Sequence, residues 1–221
     1  LMKTVVGLGP DERKVKLIIH GVDLRIFRPD GGRKELEKDL HVPQSHQVVI
    51  SARSLESIYD VGTLIKAVPF VLDECPYTYF HIIGDGTLRH QLERLAQRLG
   101  VTENVRFVGS ISNKEMPKFL GVSDIYVSTS LSDTTSVSLL EAMACSLPVV
   151  VTRLEGNMEW IKDNVNGFLF HCRDFRTLAD RIIYLLKDVD TRKKFGAVNR
   201  DIVKERADYR KEMGKMEELY K

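Results

Sequence analysis

Short β-branched runs alternate with longer amphipathic segments along most of this chain, and this alternation limits its possible folds more than any other feature. Several runs are almost continuously apolar, as the buried strands of parallel sheets are. The predicted strands are Val15–Ile19, Val48–Ala52, Tyr77–Ile83, Val105–Val108, Ile125–Ser128 and Pro148–Thr152. Two intervening segments, Asp60–Leu72 and Leu88–Leu99, have apolar residues at helical spacing. The pattern predicts an α/β fold with a Rossmann-like, doubly wound parallel sheet.

Polar clusters follow several predicted strands at the point where each strand ends. They lie after Ala52, Ile83, Val108, Ser128 and Thr152. Because the carboxyl ends of parallel strands meet at one edge of the sheet, we expect these loops to form a single site. Loops are polar in most proteins, so part of this agreement is expected without any ligand.

The stretch Ser128–Val151 is the most informative of these loops, because hydroxyl side chains run directly into a short apolar helix and then a strand. Thr134, Thr135 and Ser136 are residue types that cap helices, so a helix beginning near Val137 should present free N–H groups to an anion. Glu141 lies about one turn further along, among apolar residues. A phosphate site beside a carboxylate that can accept two vicinal hydroxyls suits a sugar nucleotide.

A plainer interpretation of the same stretch stays open at this point. The hydroxyl-rich loop could serve only as a helix cap, and Glu141 could reach the surface or pair with an arginine. Short motif matches carry a high false-positive risk, so the stretch alone does not decide between the two.

Charge and cysteine usage narrow the class of protein. The 221 residues carry a formal net charge of +2, which predicts no nucleic-acid partner. Three cysteines without CxxC spacing are expected to be reduced, which favours a cytoplasmic protein. No apolar run approaches the length of a membrane span, so no transmembrane segment is predicted. The chain begins with Leu and resembles a segment of a longer polypeptide.

Four segments, taken in order, carry a resemblance that covers nearly the whole chain. They are HGVDLRIFRPD, ARSLESIYDVGTLIKAV, IIGDGTLRHQLERLAQRLGVTENVRFVGSIS and SDTTSVSLLEAMACSLPVVVTRLEGNMEWIKDNVNGFLF. In this order and spacing they resemble the C-terminal, nucleotide-sugar-binding half of glycosyltransferase family 4, the retaining enzymes of the GT-B fold. The first is similar to the segment that links the two domains, and the last to the most diagnostic block of the family.

The resemblance implies roles for individual residues. The family signature is an acidic residue, seven intervening residues and a glutamate, a spacing that Asp133 and Glu141 match. Glu141 would accept the ribose hydroxyls, Asp133 would contact the transferred sugar, and Arg53 would bind the diphosphate, with Arg53 and Asp133 as the catalytic candidates. The predicted donor-binding residues are Arg53, Tyr59, Gly84, Ile111, Lys114, Asp133, Thr134, Thr135, Ser136, Val137, Ser138 and Glu141.

Two positions depart from the family pattern. Tyr59 stands where the family usually has a lysine six residues after the arginine, and Asp133 replaces the commoner glutamate. A structural interpretation of these residues also remains: Arg53 could pair with Asp60 or Glu56, and Tyr59 could simply pack at the start of a helix.

The resemblance further implies what the protein binds. A hexosyl donor of UDP or GDP type is expected, with no metal or other cofactor required. The acceptor, a glycan or a lipid, would bind mainly to an N-terminal domain that this chain lacks, so the isolated chain should be inactive. The full-length protein would be cytoplasmic, or peripheral at a membrane.

The expected organisation is an interdomain segment and first strand (1–30), a Rossmann-like donor-binding core (31–172) and C-terminal helices (173–221), the last of which packs on the missing domain. Two alternatives remain. One is a non-catalytic module derived from a glycosyltransferase that binds a nucleotide or a protein, which Tyr59 favours. The other is an epimerase or phosphorylase on the same fold, although the lysine environment that phosphorylases need is not found.

Overall fold

A six-stranded parallel sheet forms the centre of the computed structural model, which describes residues 15–16, 18–29, 33–40, 42 and 46–220. The strands are β1 (Gln47–Ala52), β2 (Thr78–Ile83), β3 (Val105–Gly109), β4 (Ile125–Ser128), β5 (Val149–Thr152) and β6 (Gly167–Phe170). Their order across the sheet is β3-β2-β1-β4-β5-β6, and each neighbouring pair is parallel. The carboxyl ends of β1 and β4 meet at the centre, where the strand order reverses and where such sheets bind ligands.

Helices cover both faces of the sheet. They are α1 (Arg33–Asp39), α2 (Val61–Glu74), α3 (Arg89–Arg98), α4 (Met116–Val122), α5 (Val137–Ala144), α6 (Glu155–Met158), α7 (Phe175–Lys187), α8 (Val189–Arg206) and α9 (Tyr209–Leu219). Successive residues of a strand point to opposite faces. Val49 therefore packs in the cluster formed by α2, α3 and α7, whereas Ile50 packs in the cluster formed by α4, α5 and α8. The predicted fold class, including the helical tail, is confirmed.

At the ends of the pattern, one predicted strand is absent and one strand was not predicted. The strand predicted over 15–19 is absent from the described residues of that range, and Leu17 lies outside them. This segment runs toward the tail instead of the sheet: Val22 N–H donates to Ala207 O (2.8 Å), and Tyr209 N–H donates to Val22 O (3.1 Å). Conversely, Gly167–Phe170 forms the edge strand β6, which four residues beginning with glycine did not reveal.

The tail helix α9 contacts this same early segment. Glu212, only 2% exposed, accepts a hydrogen bond from Ile19 N–H (3.1 Å) and pairs with Lys215. On the outer side of α9, Met216 and Leu219 are exposed. Across the part of the chain that the structure describes, no helix combines the length and apolar character needed to cross a membrane.

Candidate functional site

Arg53, the first residue after β1, is held on three sides. Its Nε donates to Ser128 Oγ (3.2 Å), one terminal nitrogen pairs with the Asp133 carboxylate, and its Cζ lies 5.3 Å from the centre of the Tyr59 ring. The alternative pairing with Asp60 or Glu56 was wrong. Asp60 accepts a bond from Thr63 (2.7 Å) at the start of α2, and Glu56 accepts one from Thr87 (2.6 Å) in the loop after β2, so both carboxylates have other partners.

Tyr59 lies in a 3₁₀ turn, Ser57–Tyr59, that is bonded to the loop after β4. Leu131 N–H donates to Ile58 O, and Thr129 Oγ1 donates to Tyr59 O, both at 2.8 Å. The Tyr59 ring also packs against the core, as the structural interpretation expected. These bonds tie the turn to the loop and bring Tyr59 next to the segment that carries Asp133.

The helix expected near Val137 is confirmed as α5. Ser136 caps it by accepting a hydrogen bond from Leu139 N–H (3.2 Å), and Ser138 Oγ lies 2.8 Å from the Tyr126 hydroxyl. The first N–H groups of a helix have no partner within it, so the start of α5 presents donors and a partial positive charge. This end of the helix can therefore stabilise an anion.

Glu141 lies inside α5 with only 8% of its surface exposed. Within the described residues its carboxylate has no hydrogen bond or ion pair, so the alternatives that it reaches the surface or pairs with an arginine were wrong. Burial raises the pKa of Glu141 to about 7, because the charged form loses water. A buried carboxylate without a partner is well suited to accept hydroxyl groups from a ligand.

A cavity of about 350 Å³ brings these groups together. Its lining residues are Ala52, Arg53, Ser54, Tyr59, Asn113, Asp133, Thr135, Ser136, Val137, Ser138 and Glu141. Most of the predicted donor-binding residues are among them. The sequence interpretation did not include Ala52, Ser54 or Asn113, although Asn113 lies between the predicted Ile111 and Lys114.

Four predicted donor-binding residues do not line this cavity. Ile111 packs against the core beneath the loop after β3, whereas Lys114 and Thr134 are exposed. Gly84 has φ +124°, and a Cβ there would lie 2.1 Å from Arg53 O. A glycine is therefore needed at this position for the close approach of two strand ends, independently of any ligand.

Gly156 supports the loop that carries Asp133 and was not predicted. A Cβ at Gly156 would lie 1.7 Å from Thr134 O and 2.8 Å from Asp133 O, so α6 packs directly on the backbone of this loop. The only available signal was the position of Gly156 in the polar cluster after β5.

A larger cavity of about 890 Å³ lies away from this site, between α2, α7 and the start of α8. It contains Asp188 and Asp190, which are separated by one residue. Asp188 caps α8 by accepting a bond from Thr191 N–H (2.9 Å), which explains its position without a metal ion. In the described ranges, no three His, Cys, Asp or Glu residues are grouped so that they could hold a metal ion.

The sequence of this chain matches a known family over most of its length. The family is described as glycosyl transferases group 1, and the match covers residues 32–201. N-acetyl-alpha-D-glucosaminyl L-malate synthase of Bacillus anthracis is 26% identical over 209 residues, covering 94% of this chain and 54% of that protein. A GDP-mannose-dependent alpha-(1-6)-phosphatidylinositol monomannoside mannosyltransferase of Mycobacterium tuberculosis is 28% identical over 191 residues, covering 83% of this chain and 49% of that protein.

Solved structures show the same architecture. Anabaena Alr3699/HepE in complex with UDP-glucose superposes with a TM-score of 0.87 at 23% identity, covering 99% of this chain and 60% of that one. The C-terminal domain of a glycosyl transferase group 1 family protein (LpcC) from Francisella tularensis has a TM-score of 0.77 at 25% identity, covering 85% of this chain and 99% of that domain. The chain thus spans about half the length of the curated relatives it matches.

Proposed function

Since this chain belongs to the glycosyl transferases group 1 family, we propose that it is the donor-binding, C-terminal half of a retaining GT-B glycosyltransferase of family 4. The observation that carries the proposal is the cavity in which Arg53, the start of α5 and the Glu141 carboxylate face one space. A cation and helix N–H groups suit a diphosphate, and a carboxylate without a partner suits vicinal hydroxyls.

In the proposed mechanism, the residues of the cavity bind the donor and stabilise the leaving group. Arg53 and the N–H groups of 135–138 contact the diphosphate, so they stabilise the charge that develops as the sugar bond breaks. Glu141 accepts the ribose hydroxyls, and Asp133 contacts the transferred sugar. Ile111 and Lys114 would lie along the base, and Gly84 near the donor.

The donor is proposed to be a hexose carried on UDP or GDP. Similar proteins include both a GDP-mannose-dependent enzyme and a structure with UDP-glucose bound, so the family membership does not select the base. We propose that no metal or other cofactor is required, because Arg53 and the start of α5 supply positive charge where the diphosphate would lie.

The acceptor, a glycan or a lipid, is proposed to bind mainly to an N-terminal domain outside this chain. The division proposed is an interdomain segment at 1–30, a donor-binding core at 31–172 and helices at 173–221. The exposed apolar residues of α9, Met216 and Leu219, are proposed to pack on the missing domain. We place the full-length protein in the cytoplasm or at the surface of a membrane.

Calorimetric titration of the chain with UDP-glucose and GDP-mannose tests this assignment. Substituting Glu141→Gln removes the carboxylate at nearly constant volume. We expect about 10- to 100-fold weaker binding, the usual effect of losing hydrogen bonds to a charged group. Glu205→Gln, at an exposed position of α8, makes the same chemical change outside the cavity and should bind as the unsubstituted chain does. Unchanged binding in Glu141→Gln, with the fold intact by circular dichroism, would contradict the assignment.

A second candidate is a non-catalytic module that binds a nucleotide or a protein. Tyr59 favours it, because this aromatic ring stands where the resemblance implies a second cation facing the diphosphate. A module that binds a protein would give no calorimetric signal with a nucleotide sugar. A module that binds a nucleotide would give one, and the measurement that separates it from a transferase is sugar transfer by the full-length protein.

A further inference from the structure

Arg53 is the one cation among the described residues that line the cavity, and it is already paired. Its partner is Asp133, and the two side chains are only 10% and 13% exposed. The other carboxylate of the cavity, Glu141, also opposes a bound anion when it is ionised. A diphosphate therefore enters a site whose single positive side chain is neutralised by a neighbour.

The contacts of Arg53 limit where a diphosphate can bind. Nε is bonded to Ser128 Oγ (3.2 Å), and one face of the guanidinium is turned to the Tyr59 ring at 5.3 Å. The edge formed by the two terminal nitrogens remains, and that edge binds phosphate oxygens in pairs. One of these nitrogens is held by Asp133. A diphosphate that engages this edge therefore competes with the Asp133 carboxylate for Arg53.

We infer that Asp133 is exchanged between Arg53 and the transferred sugar, so that the site discriminates between a nucleoside diphosphate and its sugar derivative. The inference rests on the proposed function. When a nucleotide sugar binds, Arg53 turns to the diphosphate. The released Asp133 carboxylate then accepts hydrogen bonds from hydroxyl groups of the sugar. A nucleoside diphosphate without sugar displaces the same carboxylate but offers it no donor, and a partly buried carboxylate without a partner is unfavourable.

The exchange has a direct consequence for product release. Once the sugar has left, Asp133 loses its hydroxyl donors and returns to Arg53. The diphosphate then competes with an internal carboxylate for its cation. The nucleoside diphosphate is bound more weakly than the donor, which favours its departure.

Titration calorimetry of the chain with UDP, UDP-glucose, GDP and GDP-mannose tests the inference. In the unsubstituted chain, the nucleotide sugar of the accepted base should bind at least about tenfold more tightly than its diphosphate. In Asp133→Asn and Asp133→Ala, affinity for the diphosphate should rise by about tenfold, because the competing carboxylate is gone. Affinity for the nucleotide sugar should not rise in parallel, because the sugar loses its carboxylate contact, so the preference for the nucleotide sugar should be lost. Asp201→Asn removes the same charge and an exposed ion pair with Lys204, and should leave all four affinities unchanged.

Three outcomes overturn the inference while leaving the proposed function intact. A parallel rise for both ligands would mean that Asp133 only repels phosphate. A fall in diphosphate affinity would mean that Asp133 only holds Arg53 in position. Equal affinity of the unsubstituted chain for diphosphate and nucleotide sugar would exclude any discrimination, and this measurement needs no variant to fold. Absence of binding by all four ligands would contradict the proposed function and the inference together.

Discussion

Two buried titratable side chains, His81 and Glu141, differ in their surroundings: Glu141 lines a cavity, and His81 is enclosed in the core. Burial lowers the pKa of His81 to about 4 and raises that of Glu141 to about 7. Glu141 lines a cavity, where a ligand can compensate its desolvation. His81 lies in β2 with no exposed surface, between the rings of Tyr79 and Phe119, and neither ring nitrogen has a hydrogen-bond partner among the described residues. Only the first arrangement suggests a function.

The burial of His81 predicts a pH-dependent stability difference. Between pH 6.5 and about pH 4, His81 is protonated in the unfolded chain but neutral in the folded chain. The positive charge of Arg106 on β3 helps to lower the pKa of His81 in the folded chain. His81 therefore destabilises the fold increasingly as pH falls between these values, by on the order of 3 kcal/mol in total. Urea unfolding should show His81→Leu gaining this amount relative to the parent chain between pH 6.5 and 4.

In the difference between variant and parent, the contributions of the other titrating groups to the free energy of unfolding cancel. Glu141 contributes the opposite slope over part of the same range, because its raised pKa makes the fold more stable as pH falls below 7, but it does so in both proteins. His90→Leu is the control, since it makes the same substitution at a histidine whose side chain is 86% exposed instead of buried. A constant difference between His81→Leu and the parent would exclude the buried imidazole as its source.

At the scale of the elements, the short helix α6 matters because it supports a loop that carries the site. Gly156→Ala places a methyl group 1.7 Å from Thr134 O, so the backbone of 133–134 or of α6 must move. Overpacking of this kind costs about 1–3 kcal/mol, and the shift should weaken nucleotide-sugar binding by about tenfold or more in calorimetry.

Gly214 in α9 offers a matched control for this substitution. A Cβ at Gly214 meets no atom within 4 Å, so Gly214→Ala should bind the nucleotide sugar normally. Equal binding by the two variants would show that α6 does not determine the position of the Asp133 loop.

The elements also show what could be predicted from the sequence. The strands from β1 to β5 and the helix α5 were expected because apolar runs, caps and spacing are local signals, and strand positions alone bring the loops of the site to one edge. The pairing of Arg53 with Asp133 was not expected, because the two residues are 80 positions apart and are brought together by contacts between two loops. Gly156 was missed for the same reason, because its role depends on the backbone of residues 133–134, which lies next to it only in the folded chain.

At the scale of the whole molecule, the chain covers 54% of the length of the Bacillus anthracis relative. We expect the isolated chain to bind a nucleotide sugar and to transfer nothing, because the acceptor is proposed to bind elsewhere. Release of UDP or GDP from the donor should stay at the background rate, measured with and without simple sugar acceptors. Turnover above background that disappears in Glu141→Gln would contradict this expectation.

The hydrogen bonds between the early segment and the tail determine how force passes through the molecule. Val22 bonds to Ala207 and Tyr209, and Ile19 bonds to Glu212 on α9. Tension applied ahead of Ile19 is therefore passed directly to the last helix through the bond between Ile19 and Glu212. If another domain moves against this one, residues 19–22 and residues 207–212 are expected to move together, because these hydrogen bonds join them.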